Sequence, residues 1–233
     1  MNKKPTILST RELDETLVEK ILEKEIVFDQ LPFIEMIPRY DEELKARVNE
    51  LAGENVLAIF TSRTAVAAVA ALLGSTPSGW QVACMGGATR SHAEDLFGKT
   101  AVVLSSGTAR DLGEKLLALR TGLPVVFFAG NRRLNDLPDL LGKNSASLKE
   151  IIVYDTNETP VKLESDYDAV LFFSPSAAQS FFSVNRLKQD TVLFSIGETT
   201  AAVLRRLSPN KVIVSPVHSP EILMDAVFGH FGL

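Results

Sequence analysis

One polar-loop pattern occurs twice in this chain, and a pattern duplicated in order restricts the fold to two domains built alike. Phe60-Thr61-Ser62-Arg63-Thr64-Ala65-Val66 is matched by Phe172-Phe173-Ser174-Pro175-Ser176-Ala177-Ala178, 112 residues later. Val82-Ala83-Cys84-Met85-Gly86-Gly87-Ala88-Thr89 is matched by Leu193-Phe194-Ser195-Ile196-Gly197-Glu198-Thr199-Thr200, with Gly86 and Gly197 111 residues apart. Val102-Val103-Leu104-Ser105-Ser106 leads into Asp111-Leu112 as Ile213-Val214-Ser215-Pro216 leads into Glu221-Ile222, with Asp111 and Glu221 110 residues apart.

The segments outside these blocks also pair. Pro5-Thr6-Ile7-Leu8-Ser9-Thr10-Arg11 reads like Pro124-Val125-Val126-Phe127-Phe128-Ala129-Gly130-Asn131-Arg132, and each runs through a Leu-bearing helix to a second strand, Phe33 to Met36 in one case and Ile151 to Tyr154 in the other. If each domain needs one copy of both pieces, the N-terminal strand-helix-strand belongs with the C-terminal third of the chain. The expected first domain is residues 1–35 plus 158–233 and the second is 40–150, with linker strands at 36–39 and 151–157. Pro38, Pro160 and charged residues cluster near these crossings, as at a domain boundary.

Short apolar runs alternate with Ala- and Leu-rich stretches of helical period, the signature of βα units around a parallel sheet. Strands are expected at 56–60, 81–85, 101–104 and 125–128 in one domain and at 7–9, 169–173, 192–196 and 212–214 in the other. Helices follow them at 64–73, 89–97, 109–119 and near 134–141, and at 13–23, 176–183, 199–207 and 220–228. The fold class is α/β: two flavodoxin-like, doubly wound parallel-sheet domains joined by a two-stranded linker.

Ligands of such sheets collect at the carboxyl ends of the strands, beside helix N-termini. The eight turns there are small, hydroxylated or Gly-bearing, among them Ser9-Thr10-Arg11, Thr61-Ser62-Arg63-Thr64, Gly86-Gly87-Ala88-Thr89, Gly130-Asn131-Arg132, Ser174-Pro175-Ser176 and Gly197-Glu198-Thr199-Thr200. Free backbone N–H groups at helix starts favour anions. Ser and Thr at these positions also cap helices without any ligand. Their number on both domains points to a ligand with carboxylates or phosphates spread over a wide area, held in a cleft that the domains share.

Composition removes several classes. With 45% hydrophobic and 23% charged residues the 233-residue chain is an ordinary globular protein. No apolar run approaches the ~20 residues of a membrane helix, and Met1-Asn2-Lys3-Lys4-Pro5 does not open a signal peptide, so a cytoplasmic protein without a membrane partner is expected. The net charge of −5 argues against nucleic acid as a partner. Cys84 is alone, which excludes an internal disulfide and suits a small buried hydrophobe. His92, His218 and His230 lack metal-ligand spacing, so no metal is expected. Gly98-Lys99-Thr100 imitates the end of a phosphate-binding loop, but Ala93 stands where the first Gly is required. No dinucleotide fingerprint and no G-x-S-x-G elbow is present.

Taken together, the Phe60-to-Val66 block, the Gly86-to-Thr89 turn, Val153-Tyr154-Asp155-Thr156, Phe173-Ser174-Pro175-Ser176-Ala177 and Ile196-Gly197-Glu198-Thr199-Thr200-Ala201 resemble the uroporphyrinogen-III synthase family over nearly the whole chain. The resemblance implies a cyclising lyase of tetrapyrrole and haem biosynthesis that needs no cofactor; nothing in the sequence points to an oligomer, so a monomer is expected. Its substrate would be hydroxymethylbilane, a linear tetrapyrrole with eight carboxylates, received from hydroxymethylbilane synthase. Loss of the terminal hydroxyl leaves an azafulvene cation, the far ring attacks it at its substituted carbon, and a spiro intermediate recloses with ring D inverted. Uncatalysed closure gives the symmetric type I isomer, so the enzyme's task is positioning.

Carried over residue by residue, the resemblance places the catalytic tyrosine at Tyr154, whose protonated phenol would assist departure of the hydroxyl; a tyrosine packed at the crossover is the other reading. Ser62, Thr89, Ser174, Ser176, Thr199 and Thr200 match turn positions that would hold acetate and propionate groups. Arg11, Arg63 and Arg132 would add charged clamps, with Arg133 an alternative to Arg132. Two other classes fit parts of the pattern. A non-catalytic two-domain binder of a polyanionic small molecule needs the turns but not Tyr154, and a two-domain transferase needs an acidic metal pair or a nucleotide loop, which the sequence lacks.

Overall fold

The computed structural model describes residues 4–119, 121–143 and 148–233. Residues 1–3, on which the reading of the N-terminus partly rests, lie outside the described residues. In chain order the first elements are β1 (Thr6–Ser9), α1 (Glu15–Leu22), β2 (Val27–Gln30), β3 (Ile34–Pro38), α2 (Glu42–Ala52), β4 (Leu57–Phe60) and α3 (Arg63–Leu72). Then come β5 (Gln81–Met85), α4 (Ala88–Phe97), β6 (Val102–Ser106), α5 (Ala109–Leu119), β7 (Val125–Gly130), α6 (Asp136–Lys143) and β8 (Leu148–Glu158). The last are β9 (Ala169–Phe172), α7 (Pro175–Val184), β10 (Val192–Ser195), α8 (Glu198–Leu207), β11 (Val212–Val214) and α9 (Pro220–Phe231).

These elements form two compact units, Met1–Glu35 with Asn157–Leu233, and Met36–Thr156. The first unit's sheet has the order β2-β1-β9-β10-β11, all parallel. The second unit's sheet runs β3-β8-β7-β4-β5-β6, parallel from β8 to β6. Without β3 the two orders are the same, β8-β7-β4-β5-β6 answering β2-β1-β9-β10-β11 element for element. The second unit simply starts its chain at the third strand of that order, so the sequence repeat is permuted.

Alternation along the strands decides why both sheets are covered on both faces. In the first unit Ile7, Leu171 and Phe194 point to the face covered by Leu17 and Ile21 of α1 and Leu223, Met224 and Val227 of α9. Their neighbours Leu8, Val170, Phe172 and Leu193 point the other way, into Ala177, Ala178, Phe181 and Phe182 of α7 and Leu204 of α8. The second unit repeats the arrangement. Ala58, Phe60, Val82, Cys84 and Phe128 pack with α2, α3 and α4, while Leu57, Ile59, Phe127 and Ala129 pack with Leu112 and Leu116 of α5 and Leu137 and Leu141 of α6. Phe60 and Phe128 stack with ring centroids 5.3 Å apart, and Trp80 stacks on Phe128 at 5.4 Å. Cys84 is fully buried, and desolvation pushes its thiol up to about 11, so it is an inert core side chain.

Two elements differ from the sequence reading. The second strand of the first unit's sheet is β2, not Phe33 to Met36; the latter segment overlaps β3, which joins the other sheet beside β8. β2 lacks the expected signal because it is an edge strand, with Val27 exposed and the burial alternating along Val27–Gln30, so it has no continuous apolar run. The helix α2 is the other addition, five of its eleven residues being charged. Its signals are nonetheless present. Asp41 caps it by accepting from the Leu44 N–H at 2.8 Å, and Leu44, Val48 and Leu51 make one buried stripe at helical spacing.

The strands β3 and β8 run in opposite senses, since the Thr159 N–H donates to the Phe33 carbonyl and the Arg39 N–H donates to the Val153 carbonyl. Just past β3, Arg39 binds the Asp155 carboxylate with two hydrogen bonds of 2.8 and 2.7 Å. These hydrogen bonds hold the Asp155 carboxyl below its ordinary range. Both side chains remain partly exposed, so solvent screening keeps the contribution of the pair small.

Candidate functional site

In a sheet of this order the winding reverses between the first and third strands, here β1 and β9 in one unit and β7 and β4 in the other. The turns leaving those strands are where a ligand is expected. In the second unit they are Thr61-Ser62-Arg63 after β4 and Gly130-Asn131-Arg132 at the end of β7. Tyr154 arrives at the same place from the neighbouring β8, where it stands in register with Gly130. Its ring lies across the glycine. A Cβ added to Gly130 would fall 2.4 Å from the ring Cζ and 2.5 Å from Cε2. Having crossed β7, the phenol oxygen accepts a hydrogen bond of 3.2 Å from Ser62 Oγ. The same Ser62 Oγ caps α3 by accepting from the Ala65 N–H at 3.1 Å. Asn131 fixes the strand ends: its N–H donates to the Tyr154 carbonyl at 3.2 Å, and its side-chain oxygen accepts from the Thr156 N–H at 2.9 Å.

The first unit holds the counterpart without a tyrosine. Ser174 caps α7 by accepting from the Ala177 N–H at 3.1 Å, and Pro175 and Ser176 occupy the first turn of that helix. The Arg11 guanidinium lies 4.2 Å above the ring of Phe173, the residue before Ser174. Arg63 is the exposed first residue of α3, and Arg132 is exposed in the turn after β7. The adjacent Arg133 has its own partners, donating from Nε to Glu150 at 2.6 Å and from Nη1 to Asn135.

The next helix of each unit begins differently. Both α4 and α8 start at a glycine, Gly87 and Gly197, and neither has a side-chain cap. Thr89 and Thr199 are each the second residue of their helix; Thr89 and Thr200 are buried and Thr199 is exposed. The sequence alignment set Gly86 against Gly197, whereas the helix starts set Gly87 against Gly197. The one-residue difference has a backbone cause: Gly87 has φ 63°, a left-handed conformation that glycine accepts without strain, and Gly197 is extended at φ −176°. Beside Gly197, Glu198 is engaged by Arg205 of the same helix.

Not every hydroxyl of the eight turns is directed outward. Ser9 donates to the Arg11 carbonyl at 2.5 Å, Ser195 to that of Gly197 at 2.7 Å and Ser215 to that of Val217 at 2.6 Å, one device at the ends of three strands. Thr10 donates to the Leu171 carbonyl at 2.7 Å. The three serines close turns, and Thr10 ties the end of β1 to β9. The sequence reading places Gly130 in a strand-end turn, but no local signal in the sequence marks its close approach to Tyr154.

Comparison with known proteins agrees with this architecture. A model of the family described as uroporphyrinogen-III synthase HemD matches residues 15–225. A search of curated sequences gives no significant match. Among solved structures the chain is similar to uroporphyrinogen-III synthetase from Helicobacter pylori 26695, with 16% identity, TM-score 0.70, and 97% of this chain and 99% of that one covered. It is also similar to a mutant uroporphyrinogen III synthase from the extremely thermophilic bacterium Thermus thermophilus, with 16% identity, TM-score 0.63, and 98% of each chain covered. At such identities the structures attest the fold, and the sequence model attests the lineage over most of the chain: this protein belongs to the uroporphyrinogen-III synthase family.

Proposed function

We propose that the substrate's carboxylates are received by the turn rows of both units and that Tyr154 assists the loss of its hydroxyl. The activity itself comes with the family: a cyclising lyase of tetrapyrrole biosynthesis that converts hydroxymethylbilane to uroporphyrinogen III. The observation that carries the finer reading is the pair of equivalent glycine-started helices, α4 and α8, without side-chain caps. In each, first-turn N–H groups that a Ser or Asp would satisfy remain for an anion, aided by the helix dipole at about 0.3–1 kcal/mol per site when exposed. Thr89, Thr199 and Thr200 stand at those helix starts to add hydroxyl donors, and Ser174 and Ser176 do so at α7. Arg11, Arg63 and Arg132 supply charge.

The chemistry needs little more than placement. Holding the linear chain so that the substituted carbon of the far ring is nearest the electrophile selects the asymmetric product, an effect of orientation. A phenol is protonated at neutral pH and can hydrogen-bond a departing oxygen without becoming charged. Ser62 Oγ lies 3.2 Å from the Tyr154 oxygen, so Ser62 can donate to the phenol while the phenol gives its own proton to the substrate. A purely binding role gives no reason for that arrangement. We further infer a monomer that works in the cytoplasm on substrate delivered by hydroxymethylbilane synthase. No helix among the described residues is long and apolar enough to cross a membrane. The test is product analysis: the protein added to freshly made hydroxymethylbilane yields the type III isomer, whereas type I alone at the uncatalysed rate, from folded protein, contradicts the assignment.

A further inference from the structure

Gly130 is the last residue of β7, between the strand that carries Tyr154 and the strand that leads to Ser62. Its backbone is not left-handed, so conformational freedom does not explain a glycine here. Space does. Any side chain would overlap the Tyr154 ring, whose Cζ, Cε2 and hydroxyl oxygen lie 2.4, 2.5 and 2.8 Å from the Cβ position, all well inside van der Waals contact. Only with that position vacant can the ring pass over β7 and bring its hydroxyl to Ser62 Oγ. The ring also packs against the buried cluster that includes Phe60, Phe128 and Val153. A larger residue at 130 is therefore expected to displace the ring from this path and carry the phenol away from Ser62.

We propose that Gly130 is a positioning residue for the Tyr154 phenol, its missing side chain being the slot that lets the ring reach across β7. The proposal rests on the role given to Tyr154 above. Gly130 touches no substrate in this reading and acts only through the ring.

The test is a double-mutant cycle in the full chain, assayed on fresh hydroxymethylbilane by rate and isomer of product. Gly130→Ala is expected to lower kcat by about 10- to 100-fold, the cost of moving a reacting group by an ångström, with KM changed less than about threefold. In the Tyr154→Phe background, where no hydroxyl remains to be misplaced, the same Gly130→Ala change is expected to cost less than about twofold more. An equal loss in both backgrounds overturns the proposal, since it shows a general structural effect. Native kcat in Gly130→Ala, with Tyr154→Phe impaired, overturns it while leaving the tyrosine's role intact. Native kcat in Tyr154→Phe removes the reading of the phenol, and the proposal falls with it. Should Gly130→Ala fail to fold, the native chain decides through NMR. The Gly130 Hα resonances are expected to carry a ring-current shift that disappears in Tyr154→Leu, and unshifted native resonances overturn the proposal.

Discussion

Tyr154→Phe lowers kcat about 100-fold, the lower end of what a positioned proton donor supplies, and leaves KM within about threefold. The ring of phenylalanine fills the same path over Gly130 and packs on the same cluster, so the fold keeps its shape there. Only the hydroxyl is removed. Ser62 loses an acceptor but still caps α3 through the Ala65 N–H, so the stability cost is that of one partly exposed hydrogen bond, about 0.5–1.5 kcal/mol. A thermal melt beside steady-state kinetics separates the two effects. Unchanged turnover with a normal melt would strip Tyr154 of its chemical role and leave it as packing at the end of β8.

The second large effect has opposite signs on stability and binding. Gly197 is extended, so an aspartate fits its backbone without strain, and the nearest atom to the new Cβ is His218 Cδ2 at 3.4 Å. The Asp side chain would accept the first-turn N–H groups of α8, and its charge would suit the helix dipole. Gly197→Asp is therefore expected to stabilise the fold by about 0.3–1 kcal/mol. The same carboxylate takes the place and the donors assigned to a substrate carboxylate. KM should rise about tenfold or more, the equivalent of ~1.4 kcal/mol of lost attraction. A protein that melts higher and binds as before would mean that the start of α8 holds no substrate group. Gly87 cannot be tested in this way, because its φ of 63° adds backbone strain to any substitution.

The fold class was legible because buried parallel strands must be apolar and the turns between them must be small and polar, and both patterns recur in this chain. What escaped were the elements that break those patterns. The edge strand β2 keeps Val27 in solvent, and the charged α2 shows its apolar stripe only at Leu44, Val48 and Leu51. At the site, the sequence identifies which residue types end the strands, but not where each hydroxyl points. Ser9, Thr10, Ser195 and Ser215 look like Ser62 and Ser174 in a string of letters, yet the three serines bond the carbonyl two residues on and Thr10 bonds that of Leu171. The contact of Gly130 with Tyr154 was invisible for another reason. The two are adjacent only through the register of β7 on β8, which contains an irregularity between Ala129 and Gly130 that no sequence pattern reveals.

Equivalent helix starts in both units are proposed to receive carboxylates of one ligand. The most direct measurement is an anaerobic titration of isotope-labelled protein with uroporphyrinogen III, followed through backbone amide resonances. The amides of Ala88 and Thr89 in one unit and of Glu198 and Thr199 in the other are expected to shift along one saturation curve. Shifts confined to one of the two units, or lying away from these helix starts, would contradict it.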